Sequence, residues 1–155
     1  MGERAPVAVR RAHEGPTGHL NIDSAAFNLY FLAKAQDTCL DEAYWYGSAP
    51  QGNWGWLMSD GTLNKCWYSM KLFGDFVKRA QTKVESKVDE KQKTVAAVAG
   101  LSADGKTASL VVSDYRGKNE KLRVAVKGLE GVKSVTAVVL DHTRDLAPVP
   151  VDFRN

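Results

Sequence analysis

The sequence predicts an α+β protein in which a strand–helix–strand–helix segment precedes an antiparallel β-sandwich. Three observations predict it. All four tryptophans and three of the five tyrosines lie between residues 43 and 76. They fall in the order of a short aromatic strand, a Gly/Asn loop, a tight Asp-Gly turn and an amphipathic helix. Composition then changes near Lys78 to Lys83: both cysteines and every phenylalanine except Phe153 precede it, and alternating Val, Ala, Lys, Thr and Leu follow. Five or six short strands joined by tight turns fill the remainder, the signature of a sandwich. The expected division is residues 1–80 and 81–155.

In the first segment, Pro6-Val7-Ala8-Val9 reads as a short buried strand and Arg10 to Asn21 as a loop broken by Gly15-Pro16 and Gly18. Asp23 or Asn21 caps a helix running to about Asp37, by accepting from the orphan N–H groups of its first turn. Ala26, Phe27, Tyr30, Phe31 and Lys34 follow helical spacing, and Ala25, Leu29, Leu32 and Ala33 make the helix apolar nearly all round, which predicts burial. Glu42 to Gly47 reads as a strand and Ala49 to Asn53 as a loop. Asp60-Gly61 turns the chain into a second helix, about Asn64 to Arg79, whose Cys66, Met70, Phe73 and Val77 form one stripe.

In the second segment, Thr82 to Val88 alternates as a strand. Val95 to Leu101 and Thr107 to Tyr115 form a hairpin about Asp104-Gly105. Leu122-Val124-Val126 alternates strictly, and Gly131 turns the chain into Val135 to Asp141. Pro148 and Pro150 mark an edge or a terminal extension, because proline cannot donate to a ladder.

The totals exclude several functions. A net charge of +3 and a pI near 8.8 are too mild for a nucleic-acid footprint. No run of apolar residues is long enough to span a bilayer, so no membrane association is expected. Met1 to Arg11 lacks the apolar core of a signal peptide. Cys39 and Cys66 lack metal-ligand spacing and read as reduced core residues. No nucleophile elbow, phosphate loop or dinucleotide fingerprint occurs, and no cofactor or metal is expected. His13, Glu14 and His19 are separated by glycines and a proline, and Asp41 and Glu42, adjacent on a strand, would point to opposite faces.

Taken as an ordered set, the segments resemble the C-terminal part of a clan A glycoside hydrolase of the family 39 xylosidase type. Asn21 to Lys34 is similar to the seventh helix of that barrel, Ala43-Tyr44-Trp45-Tyr46-Gly47-Ser48 to the eighth strand, Trp54 to Gly61 to the following loop, and Lys65 to Phe76 to the last helix. Asp104 to Gly117 and Val138 to Leu146 resemble strands of the domain that follows the barrel. A whole (β/α)₈ barrel needs roughly 250 residues, so the likeness implies a partial barrel segment of two βα units followed by the sandwich.

The resemblance implies hydrolysis of O-glycosidic bonds in plant-type poly- or oligosaccharides, and through it an extracellular or periplasmic setting. Retaining glycosidases need two carboxylates about 5 Å apart. The family's acid/base sits on the fourth strand, which has no counterpart here. Its nucleophile ends the seventh strand, where alignment of Pro6 to Val9 places Arg11; Glu14, three residues on, is the candidate nucleophile or else an ordinary loop carboxylate. Trp45 would floor the sugar site, or else fill a core. Tyr46 beside it is a further sugar-contacting candidate, and Trp54 and Trp56, flanking Gly55, would rim the sugar site or else pack the loop. A non-catalytic, carbohydrate-binding accessory module is the alternative. Unclosed barrel strands keep bare edges, which predicts homo-oligomers.

Overall fold

The computed structural model describes residues 5–8, 22–45, 56–58, 60–117, 122–128 and 131–152. Two helices and six strands follow one another as β1 (Ala5–Ala8), α1 (Ile22–Ala35), α2 (Lys65–Arg79), β2 (Thr82–Val84), β3 (Val95–Leu101), β4 (Ala108–Asp114), β5 (Val135–Leu140) and β6 (Asp145–Val149). The protein is α+β, and the described residues contain no closed barrel.

The strands form one sheet in the order β2-β3-β4-β1-β5-β6. Two antiparallel units, β2-β3-β4 and β5-β6, are bridged by β1, which runs parallel to both β4 and β5. Local sequence builds the antiparallel units. β3 and β4 pair in full register from Val95↔Asp114 to Leu101↔Ala108. Their turn closes with Ser102 N–H donating to Thr107 O at 2.9 Å and Gly105 at φ +68°, a conformation glycine adopts without penalty. The β4 ladder of β1 begins at Val7, which leaves the donorless Pro6 outside it.

Both helices cover one face of this sheet. α1 buries Ile22, Ala25, Ala26, Asn28, Leu29 and Ala33, a mostly small-residue stripe that lets the helix approach the strands closely. α2 buries Cys66, Ser69, Leu72, Phe73 and Phe76. Leu29, Ala33, Leu72, Phe73 and Phe76 meet Ala96, Val98 and Val111 in the main core. Buried polar groups between the helices are paired: Asn28 Nδ2 donates to Ser69 Oγ at 3.4 Å, Ser69 Oγ–H to Cys66 O at 2.7 Å, and Ser113 Oγ–H on β4 to Ala26 O at 2.8 Å.

Several expectations are corrected. The helices occupy the face that a second sheet would cover, so the described strands form no sandwich. Leu122 to Lys127 form no strand despite their alternation, and Val124 and Val126 are exposed, so no core face rewards the pattern. β1, from the expected barrel segment, joins the sheet of the expected sandwich segment. It is paired on both sides, so the bare parallel edge invoked for oligomers is not found in it. α1 is not buried all round: Phe27 and Phe31 face outward, where Phe27 meets Tyr115 at 5.3 Å between ring centroids. Glu42 to Trp45, the described part of the expected strand, are not a strand, and Glu42, Ala43 and Tyr44 are exposed. The buried stripe of α2 is rotated from the expected one, with Val77 exposed and Ser69 and Phe76 buried instead.

Two strands are shaped by tight local chemistry. The β5–β6 pairing slips after Val139, and Leu146 bulges at φ +59° with its side chain against both core clusters. The turn before it is held by Asp141, whose carboxylate accepts from Thr143 N–H and Arg144 N–H at 2.9 Å each, from Arg144 Nε–H at 2.8 Å, and from Arg144 Nη2. Burial pushes this carboxyl up, and the hydrogen bonds and charge of Arg144 with the Thr143 and Arg144 amides outweigh it, leaving it at about 2. Gly100, in β3, faces the α2–β2 connection with no room for a side chain: a Cβ there would lie 2.8 Å from Ala80 Cβ and 2.9 Å from Thr82 O.

Gly100→Ala therefore destabilises the fold by about 1–3 kcal/mol in urea unfolding, since one obstacle is backbone; wild-type stability would refute the close approach. Asp141 binds its proton more weakly folded than unfolded, so its contribution is present above its ordinary value of 3.8 and disappears as pH falls through about 2. Asp141→Asn should remove up to about 2 kcal/mol at neutral pH and flatten the acid limb between those values. An unchanged acid limb by circular dichroism would contradict the assignment.

Candidate functional site

The loop preceding α2 sets the geometry. Leu57 and Leu63 form an isolated antiparallel bridge about the Asp60-Gly61 turn. Met58 N–H donates to Thr62 O at 2.7 Å and Gly61 N–H to Met58 O at 2.9 Å, with Gly61 at φ +85°. Asp60 Oδ1 accepts from Thr62 N–H at 2.9 Å and from Thr62 Oγ1–H at 2.7 Å, and these bonds hold its carboxyl below the ordinary value. Asn64 then does two jobs. Its N–H donates to Trp56 O at 3.0 Å, and its Oδ1 accepts from Trp67 N–H at 3.1 Å as the N-cap of α2. One residue thereby fixes Trp56 against the first turn of the helix.

Helical periodicity supplies the rest. With Cys66, Ser69, Phe73 and Phe76 committed to the core, the positions Trp67, Lys71, Gly74 and Lys78 recur at i, i+4, i+7 and i+11 on the opposite side. Together with Trp56, Met70 and Asp75 they line an open groove of about 450 Å³. Its wall is aromatic at one end, where Trp67 meets Tyr68 edge-on at 5.1 Å, and charged along α2, where Lys71 Nζ pairs with Asp75 Oδ2 at 2.7 Å. The rings of Trp45 and Trp56 lie 6.2 Å apart at 41°, so Trp45, outside the groove lining, neighbours the Trp56 indole. Trp56 Nε1 is buried without a hydrogen-bond partner among the described residues, an arrangement that native structures rarely keep.

The sequence candidates thus divide. Trp45 and Trp56 are brought together, both half-buried. Trp45 does so from an irregular segment rather than from a strand end. Glu14, Tyr46 and Trp54 lie outside the described residues. Glu42 is exposed and accepts from the Tyr44 hydroxyl, a bond that raises the tyrosine's pKa. Asp23 lies in the first turn of α1, away from the groove lining. From sequence, Trp67 reads as packing in the second helix and the lysines from Lys71 onward as a solvated face, and Gly74 carries no signal of its own. The signal for them was their shared helical stripe, hidden because the buried stripe was placed on Met70 and Val77.

A second depression, about 470 Å³, is lined by Asp37 and the segment Lys83 to Lys87. Its charges are internally matched, Lys83 with Asp37 and Lys87 with Glu85, which leaves it little affinity for an outside ion. No described helix is long and apolar enough to cross a membrane. No family model, curated protein or solved structure matches this chain.

The two cysteines differ sharply. Cys39 is exposed and Cys66 fully buried, and neither is in a disulfide. Burial pushes the Cys66 thiol up to about 12, with the Asn28 hydrogen bond opposing. At pH 8 a thiol-reactive chromophore should modify Cys39 rapidly and Cys66 only after denaturant is added. Rapid modification of both in the native protein would show that α2 does not seal that position.

Proposed function

We propose that this chain binds carbohydrate in the groove beside α2, as part of a glycoside hydrolase acting on plant-type poly- or oligosaccharides. The observation that carries the reading is the placement of Trp56 and Trp67 at one end of a groove that also presents Lys71, Asp75 and Lys78, with the Trp45 ring 6.2 Å from that of Trp56. A pyranose has an apolar face of C–H bonds and a rim of hydroxyls. Flat indoles suit the first, and carboxylate and ammonium groups suit the second. The resemblance of residues 20–150 to the end of a family 39-type hydrolase supports the same chemistry.

The hydrolytic step needs an acid to protonate the leaving oxygen and a carboxylate nucleophile about 5 Å from it. Asp75 is the carboxylate among the described groove residues, and it is paired with Lys71. That single paired carboxylate favours the second reading, a non-catalytic carbohydrate-binding module in which the groove holds sugar and does no chemistry. Glu14 remains the nucleophile candidate of the catalytic reading.

Titration with cello- or xylo-oligosaccharides should perturb tryptophan fluorescence, and Trp56→Ala should weaken binding by about tenfold, the loss of one aromatic contact. No perturbation at millimolar sugar would sink the carbohydrate reading. Release of chromophore from aryl glycosides, lost in Glu14→Gln, separates the enzyme from the binding module.

A further inference from the structure

Gly74 stands where helix physics disfavours it. It occupies the interior of α2, ten residues into a helix of 15, and glycine is the weakest helix former after proline. Packing does not demand it: a Cβ built on Gly74 meets no described atom within 4 Å. This sets it apart from Gly100, where a side chain has no space. Gly74 lies in the groove lining, on the stripe that joins Trp67 to Lys71 and Lys78.

We propose that Gly74 is the specificity-determining position of the groove, a saddle over which a saccharide chain longer than one ring passes close to the helix backbone. This inference rests on the carbohydrate reading above. From Trp67 to Lys78 the helix rises about 16 Å, at 1.5 Å per residue, longer than a single sugar ring. One ring lies against the indoles of Trp56 and Trp67. The next crosses Gly74, where a missing side chain permits close approach. The far hydroxyls reach Asp75, an acceptor, and the ammonium groups of Lys71 and Lys78, which are donors. A side chain at residue 74 would stand in the path of the chain without disturbing the indole end, so it discriminates by length.

The test pairs Gly74→Ala and Gly74→Leu with thermal unfolding and with fluorescence titration by xylo- and cello-oligosaccharides of increasing length. Gly74→Ala should raise Tm by about 2–4 °C, since it gains helix propensity and meets no obstacle. Gly74→Leu should weaken the longer oligosaccharides by about tenfold or more and leave the shortest bound as by wild type. Wild-type affinity for long oligosaccharides in Gly74→Leu, with the loss in Trp56→Ala intact, overturns the saddle and leaves the carbohydrate reading standing. A lowered Tm in Gly74→Ala also overturns it, because packing would then explain the glycine. Silence of the wild-type protein toward every oligosaccharide removes the carbohydrate reading, and the saddle with it.

Discussion

Phe73 and Phe76, with ring centroids 5.7 Å apart, are wedged with Leu72 between α1 and the strands β3 and β4. Large aromatic side chains bury more apolar area than any other core residue and so decide which way a helix faces. Once they point inward, the 3.6-residue period leaves no freedom: Cys66 and Ser69 follow them into the core, and Trp67, Lys71, Gly74 and Lys78 turn to solvent. The groove is therefore a by-product of core packing. Its lining is arranged by the same rotation that fills the interior.

The aromatic end of the groove depends on a different device. Trp56 belongs to no helix and no long strand, yet its position is over-determined by the Asp60-Gly61 turn, the Leu57↔Leu63 bridge and Asn64. Lys65, the next residue, extends the anchoring to the far sheet edge: its Nζ donates to Arg144 O at 3.3 Å and pairs with Asp145 at 2.6 Å. The start of α2 thus ties an aromatic loop, a helix and β6 together through consecutive side chains. Sites built on such supports keep their geometry when ligands come and go.

Elements with local causes were legible in the sequence. The β3–β4 hairpin follows from alternation around Ser102 to Gly105, and the start of α2 from the Asp60-Gly61 turn. The edge position of β6 follows from Pro148. What failed had non-local causes. Nothing in Ala5–Ala8 announces that it will lie between β4 and β5, because parallel partners are chosen by long-range closure. Residues 122–127 alternate as a strand should but find no ladder. The apolar periphery of α1 hid which side would be buried, and packing chose its alanines over Phe27 and Phe31. In the site, the indoles were conspicuous by composition. The helix stripe beside them was not, because a one-position error in the buried face conceals the outward one.

The role of β1 carries a further consequence. Among the described residues, β4 and β5 share no ladder, and the four residues Ala5–Ala8 alone stitch the two halves of the sheet. Each half is built from neighbours in sequence and assembles early, while the stitch must be recruited from roughly a hundred residues away, at a large loop-closure cost. Until it arrives, two strand edges with unpaired N–H and C=O groups stand open side by side. Any extended peptide of similar character, including the same segment from a sister molecule, competes for that slot, so fidelity of folding rests on the shortest central element in the molecule.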